Sequence, residues 1–258
     1  MELIEPQKIK QKLAIKLIGR KILYYKSLSS TMDKARQEAQ KGAAEGTVII
    51  AEKQTSARGR LKRSWISPEG NIALSVILYP KAEYLPYLIM IASVAVVKAI
   101  KDTTGLKAEI KWPNDVLINA KKVCGILVES GVRNQKERYA VIGIGLNVSL
   151  RSDSYPEITQ IAASLESALG GYVSRNKILS VLINHMDKLY MLLPDGEAIF
   201  KKWRALMTML GKNVQVACGE EKIKGIAQDV SRDGSLLVLC ENGKLNKVVA
   251  GDVSLREL

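Results

Sequence analysis

The sequence predicts an α+β fold: a mainly antiparallel sheet flanked by helices, followed by a small β-barrel. Three observations lead there. Short runs rich in Val and Ile, bounded by Gly and polar turns, recur over residues 48–148. Apolar residues at helical spacing interrupt them at 84–101 and take over after 160. Past residue 210 the pattern changes to short strands separated by Gly219, Asp233-Gly234 and Asn242-Gly243. A chain of 258 residues can hold one substantial core and a small second unit, assigned as 1–209 and 210–258 without a flexible linker.

In order, Ile9, Leu13 and Leu17 predict a short helix within 1–20. A strand follows at 22–25. Ser30 and Asp33 fit a capping box that opens a helix running to Gln40, ended by Gly42 and Gly46. Strands at 48–52 and 72–79 bracket a basic loop. A largely apolar helix at 84–101 then covers the sheet, and strands at 108–112, 116–119, 123–129 and 139–148 complete it, with a polar loop at 133–138. Over 160–210, Ile178, Leu182, Met186, Leu189 and Leu193 predict helix, with His185 on the flank of their stripe. The tail predicts strands at 213–218, 223–230, 235–240 and 245–250.

A hydrophobic fraction of 47% with 25% charged residues belongs to an ordinary globular protein. The apolar run at 85–97 is interrupted by Pro86 and Ser93 and falls short of a membrane span. The N-terminus lacks a signal-peptide pattern, so the expectation is a cytoplasmic protein with no membrane partner. Cys124, Cys218 and Cys240 are far apart and there is one His, which argues against a disulfide framework, a zinc site and a Ser-His-Asp or Cys-His mechanism. The net charge of +13 favours an anionic partner, whether nucleic acid, a phosphate-bearing small molecule or an acidic protein.

The basic loop, AEKQTSARGRLKRSW, places Arg58, Arg60, Lys62 and Arg63 around Gly59 and closes on Trp65. Guanidinium forks and unobstructed backbone amides suit phosphate oxygens; composition alone leaves open a solvated or nucleic-acid-binding loop. In KWPND, Pro113 fixes the backbone and Asn114 and Asp115 offer an amide and a carboxylate at a strand start, although Pro-Asn-Asp is also ordinary turn chemistry. Lys122 stands at a hairpin before the strand containing Gly125. Gly143 and Gly145 in GIGLN mark a bulge or a close approach, without the third glycine and helix of a dinucleotide fingerprint.

ARGRLKRSW, KWPND, KKVCGILVE and GIGLNV, in this order and spacing, resemble the catalytic domain of biotin protein ligases, and the tail ending in GDVSLREL resembles their C-terminal domain. The resemblance covers nearly the whole chain from about Lys26. It implies a fold of the class II aminoacyl-tRNA synthetase/biotin ligase type with a C-terminal SH3-like barrel. The implied reaction has two steps: ATP activates biotin to biotinyl-5′-AMP with release of pyrophosphate, with Mg²⁺ assisting, and biotin then passes to a lysine of a biotin carboxyl carrier protein domain.

Carried over, Lys122 and Arg58 are catalytic. Ser30, Thr31, Gln54, Arg58, Gly59, Arg60, Lys122 and Gly125 bind biotin. Arg58, Arg60, Arg63, Trp65, Asn114, Asp115, Lys122 and Asn147 bind ATP, with Asp115 as the metal candidate. The sequence departs from the family pattern at Ala57, where Gly is common, and at Met32, where Asn is usual. No DNA-binding domain precedes the catalytic part, so a ligase without repressor activity or sequence-specific DNA binding is expected. A homodimer is among the expectations. The other readings are a lipoate or octanoate ligase of the same superfamily and a basic RNA-binding protein, which would bind RNA in a strongly salt-dependent way.

Overall fold

The computed structural model describes residues 2–133 and 137–255. Part of the expected loop at 133–138, and the last three residues of the GDVSLREL tail, lie outside the described residues. Strands β1 (Ile22–Leu28), β2 (Val48–Gln54), β3 (Ile72–Leu78), β4 (Glu109–Lys111), β5 (Asp115–Ile118), β6 (Lys121–Arg133) and β7 (Glu137–Leu146) form one sheet. Its order is β1-β2-β3-β7-β6-β5-β4. Only β1 and β2 pair in parallel; the other five pairings are antiparallel.

The two-residue period of the strands divides the core. Val48, Ile50, Val76, Leu78 and Ile142 join the main hydrophobic cluster on one face, and Ile49, Ile77 and Val141 a smaller cluster on the other. Helix α2 (Thr31–Gln40) covers the smaller cluster with Met32, Ala35 and Ala39. Ser30 caps it, its hydroxyl accepting from the Asp33 N–H at 3.3 Å. The Asp33 carboxylate does not complete the box: Arg36 and Arg58 hold it instead.

Helix α3 (Leu85–Thr104) packs between the main face and two further helices, α5 (Arg175–Tyr190) and α6 (Gly196–Arg204). It is longer than the interrupted run at 85–97 suggests. With mean hydropathy 1.6 over its best window it is apolar enough to cross a membrane by length and composition, yet most of it is buried in the fold. An all-round apolar helix of this kind suits a position between two packed layers. Gly105, at φ 75°, ends it by donating its N–H to the Lys101 carbonyl at 2.9 Å.

Two helical expectations are corrected. Among the described residues within 1–20, only α1 (Pro6–Lys10) is an α-helix. The backbone N–H groups of Lys16, Leu17 and Ile18 instead donate to the buried Asp187 carboxylate at 2.7–2.8 Å, so tertiary bonds to α5 override the local periodicity. The stretch 160–210 breaks into α4 (Leu165–Leu169), α5 and α6, interrupted by Gly170 at φ 71° and by a 3-10 turn containing Pro194. His185 on α5 pairs with Asp102 of α3 at 2.7 Å, which makes it a helix-to-helix contact at the margin of the core.

Beyond α6, β8 (Asn213–Cys218), β9 (Glu221–Val230), β10 (Leu236–Leu239), β11 (Leu245–Val248) and β12 (Asp252–Leu255) form a second, antiparallel sheet in the order β11-β10-β9-β8-β12. The fifth strand was not expected from the sequence; it pairs with β8. The Trp112 indole N–H donates to the Gly234 carbonyl at 2.7 Å, and Val214, Ala227 and Leu236 belong to the same cluster as α3. One continuous core therefore spans both sheets.

Candidate functional site

A cleft of about 530 Å³ opens on the α2 side of the large sheet. Its floor is built from glycines that face the same way. Gly125 of β6 pairs with Gly145 of β7, and Gly143 pairs with Leu127. A methyl group at Gly145 would lie 2.5–2.8 Å from the Trp65 indole, and one at Gly125 3.0 Å from it and 3.3 Å from Lys122 Cε. These two glycines thus make room for the protein's own tryptophan and lysine. Gly143 makes room for Met32, whose Sδ would sit 2.5 Å from a Cβ there.

At one end, α2 begins beside the end of β2. The Gln54 Oε1 accepts from the Thr31 N–H at 2.7 Å and from the Thr31 hydroxyl at 3.0 Å, while Gln54 Nε2 donates to Ser67 Oγ at 3.1 Å. The Ser75 hydroxyl donates to Thr31 Oγ1 at 2.9 Å. Ser30, Thr31 and Gln54 therefore form one fixed polar corner against the apolar Met32, Ile126 and Leu127, which also line the cleft.

The basic loop is a miniature hairpin. Arg58 bridges to Ser64, the Gly59 N–H donates to the Arg63 carbonyl at 2.8 Å, and the Trp65 N–H donates to the Ala57 carbonyl at 3.0 Å. Leu61 and Lys62 turn the tip at φ 54° and 59°, in the left-handed region. Ala57 is not in that region, so the residue that replaces the family glycine meets no backbone penalty. Three arginines tie the hairpin down. Arg58 Nη2 donates to both Asp33 oxygens at 3.0 Å. Arg60 Nη1 donates to Asn114 Oδ1 at 3.1 Å and to the Gly251 carbonyl at 3.2 Å. Arg63 pairs with Asp252 at 2.5 Å.

Lys122 reaches the cleft from the start of β6. Its Nζ lies 2.7 Å from Asp115 Oδ1 and 5.2 Å from the centroid of the Trp65 ring, a distance at which a cation is attracted to an aromatic face. Its peptide is held by the arch at 151–164: the Lys122 N–H donates to the Ile161 carbonyl at 2.8 Å, and the Lys122 carbonyl accepts from the Ala163 N–H at 3.0 Å. Asn147 braces the same arch, donating Nδ2 to the Ala163 carbonyl at 3.1 Å. Asn114 donates Nδ2 to the Ile126 carbonyl at 2.9 Å. Cys124 behind the floor is fully buried, and desolvation holds its thiol far above the usual range against the opposing charge of Lys122; it is an apolar wall.

Every residue carried over to biotin or ATP lines this one cleft: Ser30, Thr31, Gln54, Arg58, Gly59 and Arg60 from the first half, then Arg63, Trp65, Asn114, Asp115, Lys122, Gly125 and Asn147; Lys62 of the basic loop does not. Sequence reasoning missed the arch at 151–164, with Ile158 and Ile161 on the wall, and Asp252 from the second sheet. It also missed the part played by Asp33, read only as a cap residue. The cations of the loop were the available signal, because clustered like charges are favoured by carboxylates placed beside them.

The cleft thus combines an antiparallel sheet with a glycine floor, an apolar pocket with a fixed polar corner, and a cationic hairpin over it. The comparisons agree. Residues 24–147 match the model of the biotin/lipoate A/B protein ligase family, and residues 209–256 that of the biotin protein ligase C-terminal domain. The bifunctional ligase/repressor BirA of Bacillus subtilis strain 168 is 34% identical over 249 residues, covering 94% of this chain and 76% of its own length. The biotin–[acetyl-CoA-carboxylase] ligase of Mycobacterium tuberculosis is 30% identical over 234 residues, covering 87% and 85%. The biotin protein ligase of Aquifex aeolicus, solved in complex with biotin and ATP, superposes with a TM-score of 0.79 at 30% identity, covering 93% of this chain and all of that one. The chain belongs to the biotin protein ligase family.

Proposed function

We propose that this cleft activates biotin with ATP to biotinyl-5′-AMP, releasing pyrophosphate, and passes the biotinyl group to a lysine of a biotin carboxyl carrier protein domain. The observation that carries the reading is the convergence of the cationic hairpin, the Ser30–Gln54 corner and Lys122 on one glycine-floored cleft. In the first step a carboxylate oxygen attacks the α-phosphorus and pyrophosphate leaves. Two anions must therefore approach each other, and fixed cations offset their repulsion.

Ser30, Thr31 and Gln54 hold the head group of biotin, and Met32 and Leu127 cover its apolar face. Lys122 spans the acid carboxylate and the α-phosphate, and Asp115 keeps its ammonium aimed. Arg58, Gly59 and Arg60 close over the acid and the phosphates. Arg63, Trp65, Asn114 and Asn147 form the nucleotide side. No group of three or more His, Cys, Asp or Glu side chains that could hold a metal is present among the described residues. Asp115 alone fits Mg²⁺ arriving with the polyphosphate, since that ion is commonly bound by one or two carboxylates plus substrate phosphates. It would supply further neutralisation of phosphate charge.

In the second step the neutral amine of the carrier lysine attacks the activated carbonyl and AMP leaves. The reading places the enzyme in the cytoplasm; the repressor half of the relatives' names is said of those proteins. Biotin-dependent pyrophosphate release by Lys122→Ala tests the assignment. A loss of at least about 100-fold in kcat is expected for removal of a charge that stabilises the transition state, and a wild-type rate would overturn it.

A further inference from the structure

We propose that Asp33 is a positioning residue that presets Arg58 for the anion it is to meet. Asp33 stands in the first turn of α2, where the helix end favours a carboxylate. Arg36 pairs with it and reaches on to Glu129 of β6 at 3.2 Å, so the carboxylate is held from the sheet as well as from its own helix. Arg58 comes from the hairpin, with half of its side chain exposed, and lies on the ridge between the cleft and an outer groove of about 710 Å³. A long side chain in that position samples many rotamers unless something selects one.

Asp33 makes the selection through a single nitrogen, since Nη2 meets both carboxylate oxygens at 3.0 Å. Nη1 and Nε keep their N–H donors, so each can still meet an oxygen of an acid carboxylate or a phosphate. Ser30 and Thr31 open the same helix, so this anchor is fixed relative to the head-group corner. Prepositioning of this kind lowers the reorganisation needed at the moment of reaction, which affects kcat more than substrate affinity.

The inference rests on the assignment of Arg58 to the acid and phosphate, and the test separates the two. Biotin-dependent pyrophosphate release is measured for wild type, Asp33→Asn, Arg58→Lys and the double variant, with thermal unfolding of each. Asp33→Asn is expected to lower kcat about 10-fold, a modest misplacement, with KM for ATP changed less than kcat. Asp33→Glu should recover part of the rate, and Asp33→Asn should add little in the Arg58→Lys background. Asp33→Ser, equally suited to a first helical turn, serves if Asp33→Asn does not fold. A rate loss of the same factor with and without Arg58→Lys, or no loss beside a slow Arg58→Lys, overturns the proposal for Asp33. A wild-type rate in Arg58→Lys overturns the assignment of Arg58 instead.

Discussion

Gly145→Ala tests the floor of the cleft most directly. The added methyl would lie 2.5 Å from Trp65 Nε1, 2.6 Å from Cε2 and 2.8 Å from Cζ2. Ordinary contact is about 3.5 Å, so the indole must retreat by about 1 Å. Trp65 is half-buried on a hairpin and can move, which places the cost at the low end of overpacking, about 1 kcal/mol. For a chain near this size that is a fall in Tm of about 2–4 °C.

Activity should suffer more than stability, because the ring that moves is the one beneath Lys122. Gly125→Ala presses on the same ring only at 3.0 Å and should be milder. Acrylamide quenching follows the movement, since Trp112 and Trp203, the other two tryptophans, are fully buried. The double variant Trp65→Ala/Gly145→Ala should regain the stability lost by Gly145→Ala, a coupling that a double-mutant cycle reads directly. The reasoning is refuted if Gly125→Ala disturbs Trp65 more than Gly145→Ala does, or if the two effects at 65 and 145 simply add.

Two further outcomes concern stability. Glu52 pairs with Arg175 at 2.6 Å, both buried, and also accepts from the Ile4 N–H and the Tyr24 hydroxyl. Glu52→Gln leaves a buried guanidinium without its counter-charge and should cost about 3–5 kcal/mol in urea unfolding; an unchanged midpoint would speak against the pairing. Asp233 has its carboxyl pKa depressed below the usual range chiefly by the hydrogen bond from Lys247, with further bonds involving Ser231 and Ser235 and with burial opposing them. A depressed folded-state pKa stabilises above the unfolded value of about 3.9, and the contribution is lost as pH falls through the lower folded value. Asp233 is half exposed, so the contribution is modest. Lys247→Ala should move the Asp233 titration, followed by NMR, back toward the ordinary range.

Much of the architecture was legible because strand alternation and turn chemistry are local. The runs around Ile50, Leu74 and Ile144 could be placed by period and by flanking glycines, and Ser30 by its capping position. What failed was set by distant partners. Leu13 and Leu17 have helical spacing, but Asp187, far along the chain, takes the backbone N–H groups of that segment. The strand at Asp252 was hidden because its pairing lies with β8 across the second sheet. Within the site, residue types and order located the cleft, whereas the counter-charges at Asp33 and Asp252 follow only from the fold, since neither adjoins the loop in sequence. The roles proposed for Asn114 and Asn147 came from the family resemblance, and the structure shows that both side-chain amides brace backbone.

Lys122 belongs to two assemblies at once. Its ammonium faces the cleft, while its peptide is the rung to which the arch at 151–164 is hung, through Ile161 on one side and Ala163 on the other. Any L-residue with an N–H can supply that rung; only a long cationic side chain can supply the charge. Alanine there removes the charged side chain and leaves the wall standing, so its kinetics report on the side chain and not on the arch. Proline would remove the N–H and release one side of the wall, and the two substitutions together divide architecture from chemistry at a single position.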